Sequence, residues 1–142
     1  MVFWGKERRR RRRYPVFWGG DLEVRFSDRV EIQPVEMRDV SGVGARFLVP
    51  RVYVHGRYLL SDRRPFRMFL RIEIPEGPLE MEVSPRWYRW SVEAGAFEIA
   101  VAFRQMDSDH QQRLEGLLAG LRRQANGPSG PLLTRSIFLL LW

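Results

Sequence analysis

Met68-Phe-Leu-Arg-Ile-Glu-Ile-Pro-Glu-Gly-Pro-Leu-Glu-Met-Glu-Val83 alternates apolar and polar side chains on both sides of a Pro/Gly turn. Met68, Leu70, Ile72 and Ile74 share one face, with Phe69, Arg71 and Glu73 between them. After Glu76-Gly77-Pro78, Leu79, Met81 and Val83 face one way and Glu80 and Glu82 the other. A period of two is the signature of a half-buried strand, so this stretch reads as two strands joined by a turn.

The same period extends in both directions. Leu22, Val24 and Phe26 alternate with Glu23 and Arg25 after a turn at Gly19-Gly20. Val30, Ile32, Val35 and Met37 suggest a further strand, which Pro34 should interrupt or bulge. Ala45 to Val49 leaves the loop Asp39-Val-Ser-Gly-Val-Gly44 as a strand, and Val52-Tyr-Val54 and Tyr58-Leu-Leu60 flank His55-Gly56 as a small hairpin. Trp87, Tyr88 and Trp90 continue the Leu79–Val83 strand and read as barrel core or barrel surface. Phe97, Ile99, Val101 and Phe103 form the last clear strand. Short strands separated by closely spaced turns indicate a barrel or sandwich.

The period changes once. Ser108 and Gln111 read as a capping box, and Leu114, Leu117, Leu118 and Leu121 then form one stripe of an amphipathic helix. Arg122 and Arg123 complement its C-terminal dipole, and Asn126-Gly127 ends it. The fold class is therefore all-β with one C-terminal helix. Residues 1–13 form a basic arm, residues 14–124 the β-barrel and helix, and residues 125–142 a linker and apolar tail.

Composition narrows the function. The 142 residues hold no cysteine, which removes disulfides, thiolate metal sites and thiol nucleophiles together. His55 and His110 are the only histidines and stand far apart, so no metal site is expected. The formal charge of +7 is concentrated in the arm, where Lys6 and Arg8 to Arg13 against Glu7 leave a net +6. An anionic partner belongs near that arm. Val2-Phe3-Trp4 followed by charge is the reverse of a signal peptide, and Ile137–Trp142 is far shorter than the ~20 residues of a membrane span. A cytoplasmic protein with no membrane span is expected.

Two features carry chemistry. One is the run Glu7-Arg-Arg-Arg-Arg-Arg-Arg-Tyr-Pro-Val16; the other is Asp39-x-Ser41-x-x-Gly44 between two strands. In this order and spacing they resemble the PilZ family, whose signature is R-x-x-x-R followed by [D/N]-x-S-x-x-G. The tryptophan-rich strand, Phe97 to Phe103, and Met106-Asp107 leading into a helix agree with it. The resemblance covers roughly residues 7 to 124. It implies a six-stranded antiparallel β-barrel of split-barrel type that binds cyclic di-GMP, often as a stacked pair of molecules. Arg13-Tyr14-Pro15-Val16 fits the family's lead into the barrel, which makes the arginine pair Arg9 and Arg13; a one-residue slip gives Arg8 and Arg12. The implied ligand residues are Arg9, Arg13, Asp39, Ser41 and Gly44, with Arg8, Arg12 and Gly42 as secondary candidates.

The residue types suit that ligand. Guanidinium forks pair with phosphate oxygens and with guanine O6 and N7, which lysine cannot do in a bidentate way. Asp39 can accept from guanine N1–H and N2–H₂, and Ser41 can donate to or accept from base or phosphate. Gly44 permits a positive φ and a close backbone approach to the ligand, which any Cβ would obstruct. Each feature also has a plainer reading. An arginine run is usually a solvated or nucleic-acid-binding arm, and Asp-x-Ser at a turn commonly bonds its own backbone. The chain is thus expected to be a cyclic di-GMP receptor without a cofactor, acting on a protein effector, with a homodimer left open. The alternative is a single-stranded nucleic-acid-binding barrel with an arginine-rich arm, which the near-neutral body disfavours. No carboxylate pairs with a nucleophile in an acid/base arrangement, so an enzyme is not expected.

Overall fold

The computed structural model describes residues 12–60 and 66–126. Its strands are β1 (Tyr14–Pro15), β2 (Gly19–Phe26), β3 (Val30–Val40), β4 (Gly44–Val49), β5 (Tyr53–Val54), β6 (Arg57–Tyr58), β7 (Phe66–Ile74), β8 (Gly77–Ser91) and β9 (Ala96–Gln105). One helix, α1 (Ser108–Asn126), follows. The alternating stretch quoted above forms the β7–β8 hairpin, with Met68 opposite Val83 and Ile74 opposite Gly77 around Pro75-Glu76.

Six strands close on themselves in the order β3-β2-β7-β8-β9-β4, with β4 pairing back onto β3. Every pairing is antiparallel. This is the expected six-stranded barrel with one C-terminal helix. Closure removes the sheet edges that would otherwise invite further strand pairing. Inward positions are filled by apolar side chains; Leu22, Phe47, Leu70, Ile72, Leu79 and Ile99 have no solvent exposure. Burying each contributes about 1.5–3 kcal/mol against the entropy of ordering the chain.

Three local expectations are corrected. Gly19-Gly20 is the start of β2 and not a turn. A Cβ on Gly20 would lie 2.2 Å from the Arg71 carbonyl oxygen, so glycine there lets β2 close against β7. Pro34 does not interrupt β3, which runs through it opposite Asp21; the register shifts instead between Met37 and Asp39. Val30 and Ile32 consequently lie exposed, while Gln33, Val35 and Met37 turn inward. The Gln33 amide is satisfied there by the backbone of Arg51, donating from Nε2 at 2.9 Å and accepting at 3.1 Å. Finally, the helix cap is Asp107 and not Ser108: its Oδ1 accepts from His110 N at 2.9 Å.

The small hairpin at His55-Gly56 forms as expected. Both residues have positive φ, 50° and 74°, as a two-residue turn between strands requires. Helix α1 buries Leu114 and half-buries Leu117, Leu118 and Leu121 against the barrel. Arg113 clamps it to the β7–β8 turn through the carbonyls of Pro78 and Gly77 at 2.9 and 2.6 Å, and His110 Nδ1 accepts from Glu80 N at 3.0 Å. No helix among the described residues is long and apolar enough to cross a membrane.

Candidate functional site

The Asp39–Gly44 segment is a tight connection between β3 and β4. Ser41, 1% exposed, closes it: its N–H donates to Gly44 O at 2.8 Å, and its Oγ accepts from Val43 N and Gly44 N at 3.2 and 3.1 Å. The hydroxyl also lies 3.2 Å from Gly44 O, so its hydrogen-bonding capacity is engaged by the turn itself. Phe103 N donates to Val43 O at 2.8 Å and ties the loop tip to β9. Gly42 is half-buried at that tip. Gly44 does not use the positive φ open to glycine; it is a strand residue, and a Cβ there would lie 2.2 Å from the Val101 carbonyl oxygen. Glycine here brings β4 against β9.

Asp39 is 5% exposed and sits on the outer side of β3. Burying a carboxylate requires partners, and two arginines supply them. Arg46 on β4, directly across the ladder, donates from Nε to Oδ2 at 2.8 Å and contacts the same oxygen through Nη2. Arg13 donates from Nη1 to Oδ1 at 3.1 Å. Arg13 is delivered from 26 residues away because β1 pairs with β3, placing Tyr14 opposite Val40 and Pro15 opposite Asp39. The Asp39 carboxylate, chiefly by hydrogen bonding, raises the Arg46 guanidinium above its already high value.

The structure therefore brings Arg13, Asp39, Ser41 and Gly44 together. Arg12 turns elsewhere, with its guanidinium 5.2 Å from the centre of the Tyr14 ring. Arg8 and Arg9 lie outside the described residues.

Sequence reading missed a second carboxylate and three arginines. Glu98 on β9 is 5% exposed and is ringed by Arg38 Nε at 3.5 Å, Arg89 Nη2 at 3.0 Å and Arg46 Nη1 at 3.9 Å. Arg46 thus spans both buried carboxylates. The alternation contained the signal: Arg46 falls between inward Ala45 and Phe47, and Glu98 beside inward Ile99. Recognising them as neighbours needs the β4–β9 pairing, which sequence spacing does not supply. Arg13, Arg38, Arg46 and Arg89 thus converge on these two carboxylates, while outside the arm the chain stays close to neutral.

A groove of about 1000 Å³ between α1 and the barrel is separate from the Asp39 cluster. Phe103, Met106, Leu114 and Leu118 line it, and it reaches the motif loop only at Gly42-Val43. Polar groups gather in it too, among them Arg67, Glu82, Arg104 and His110, but Asp39 and Glu98 lie outside its lining. Asp107, Asp109 and His110 bring ligand atoms within 4.8 Å of one another at the start of α1, but Asp107 is already engaged as the helix cap.

No family model matches the chain. No curated protein matches it either. The fold is that of a PilZ domain, as solved structures show. The Bacillus subtilis inhibitor of motility MotI/DgrA superposes with a TM-score of 0.56 at 19% identity, covering 84% of this chain and 53% of its own. The PilZ domain of YcgR from Escherichia coli, solved with c-di-GMP, gives 0.53 at 14% identity, covering 82% and 94%. Apo MrkH from K. pneumonia gives 0.57 at 18% identity, covering 81% and 50%. The chain thus spans about half the length of MotI/DgrA and MrkH.

Proposed function

We propose that this protein is a receptor for cyclic di-GMP, carried by the outer barrel face around Asp39, and that ligand binding alters a surface read by a protein effector. The observation that carries the reading is Asp39, buried yet held between Arg13 of the arginine run and Arg46 of the barrel. A cyclic guanine dinucleotide presents N1–H and N2–H₂ to a carboxylate and phosphates to guanidinium groups, which matches this set. The two arginines are not equivalent. Arg46 is two-thirds covered and grips Asp39 with two nitrogens, whereas Arg13 is half exposed and makes one bond. Arg13 is the group that turns toward phosphate and frees Oδ1 for the base; Arg46 keeps the carboxylate in place.

On this reading the protein acts in the cytoplasm, needs no cofactor and is not an enzyme. Calorimetric titration of the full chain with cyclic di-GMP, cyclic di-AMP and single-stranded RNA tests it. Saturable binding of cyclic di-GMP alone is expected. Equal binding of cyclic di-AMP overturns the role of Asp39 as a guanine reader. RNA binding without dinucleotide binding makes the chain a nucleic-acid-binding barrel.

A further inference from the structure

Glu98 Oε1 is the one buried side-chain polar atom among the described residues that lacks a hydrogen bond. Arg89 Nη2 is 3.0 Å from it, in ion-pair range but out of hydrogen-bond line, and Arg46 Nη1 is 3.9 Å away. A buried acceptor left in that state is costly, and native proteins keep few of them. The atom faces the same outer surface as the Asp39 pair. Across the ladder Glu98 lies between Leu48 and Arg89, one outward position from Ala100, which lies between Arg46 and Trp87. Its cover is thin: the Arg89 side chain is 65% exposed and can swing aside without disturbing the core.

We propose that Glu98 is a second guanine-reading carboxylate and that Arg89 is its movable cover. This rests on the cyclic di-GMP reading above. The ligand has two guanines, and Asp39 accounts for one donor edge. The parallel N1–H and N2–H₂ donors of a second guanine match the two oxygens of Glu98, whereas adenine would turn the N1 lone pair toward them. A carboxylate repels phosphate, so what Glu98 contributes to affinity comes from the guanine donor edge; Arg38, Arg46 and Arg89 offset its charge.

The test is calorimetry on the native chain and on Glu98→Gln, with cyclic di-GMP and with cyclic di-IMP, whose hypoxanthine lacks N2–H₂. Glu98→Gln should weaken cyclic di-GMP about tenfold and cyclic di-IMP less than about threefold, so that the preference for guanine narrows. Equal weakening of both ligands, the result if Glu98 only positions arginines, overturns the proposal, as does no change in either. If the native chain binds neither ligand, the receptor reading has failed first and this proposal with it. Should Glu98→Gln not fold, carboxyl ¹³C NMR of the native protein decides the matter. The Glu98 signal should move with cyclic di-GMP and move less with cyclic di-IMP; an unmoved signal overturns the proposal.

Discussion

Asp39 and Glu82 are both buried carboxylates, 5% and 8% exposed, yet they are built for different ends. Glu82 meets one arginine in a closed fork: Arg67 donates from Nε to Oε2 at 3.1 Å and from Nη2 to Oε1 at 2.8 Å. Each oxygen has one partner, and hydrogen bonding from Arg67 holds the carboxyl below its usual range. Asp39 is shared between Arg46 and an arginine from a distant segment, and Arg46 leans on to Glu98. The first arrangement is complete in itself. The second holds more cations than it neutralises, with donors left over for an anion.

The sharpest way to break the comparison is to remove each carboxylate. Asp39→Ala should reduce cyclic di-GMP affinity at least about a hundredfold while the barrel stays folded. Glu82→Ala should leave affinity within about twofold and lower the melting temperature instead. A large loss of ligand-free stability in Asp39→Ala would make that residue chiefly structural, on the same footing as Glu82. Arg13→Ala comes next, at about ten- to a hundredfold in affinity, since it removes a charge-assisted contact. Arg10→Ala and Arg11→Ala should cost less, and comparable losses at all of them would indicate a diffuse electrostatic arm.

Gly44 offers a smaller and more pointed contrast with Gly20. Each would bring a Cβ to 2.2 Å from a carbonyl oxygen of the neighbouring strand, yet only Gly44 belongs to the motif. Backbone cannot yield as a side-chain tip does, so alanine at either site should destabilise the barrel by about 1–3 kcal/mol in denaturant unfolding. If Gly44→Ala loses ligand with no loss of stability, the glycine serves the ligand and not the packing.

The barrel was legible because its cause is local. Period-two alternation around Gly77 and from Phe97 to Phe103 already assigns the inner faces. Asp39 and Arg13 were singled out by the resemblance of their motifs, whereas Arg46, Glu98 and Arg89 were not. These three stand on different strands, and only barrel closure sets β4 beside β9 and β9 beside β8. Ser41 shows the converse. Its motif position suggests a ligand contact, but the backbone groups nearest to it engage its hydroxyl first. The missed helix cap has the same local character: Asp107 and Ser108 are both good caps, and the fold uses the carboxylate.

The smallest effect expected is in acid, at the closed pair. Because Arg67 depresses the folded-state pKa of Glu82, the pair contributes stability above the unfolded carboxyl value of about 4.3. That contribution is lost as pH falls through the depressed folded value. Glu82→Gln keeps the shape and one acceptor oxygen but cannot titrate. At pH 7 it should melt a few degrees below the native chain. The gap should hold constant down to about pH 5 and then close as the native carboxylate takes up its proton. Melting curves of both chains between pH 3 and pH 7 measure it. A gap that widens toward acid would mean that the folded state prefers the protonated carboxyl, which reverses the sign. A gap that never closes would mean that the loss comes from packing and not from charge. Either result would remove Glu82 as the self-contained counterpart to Asp39.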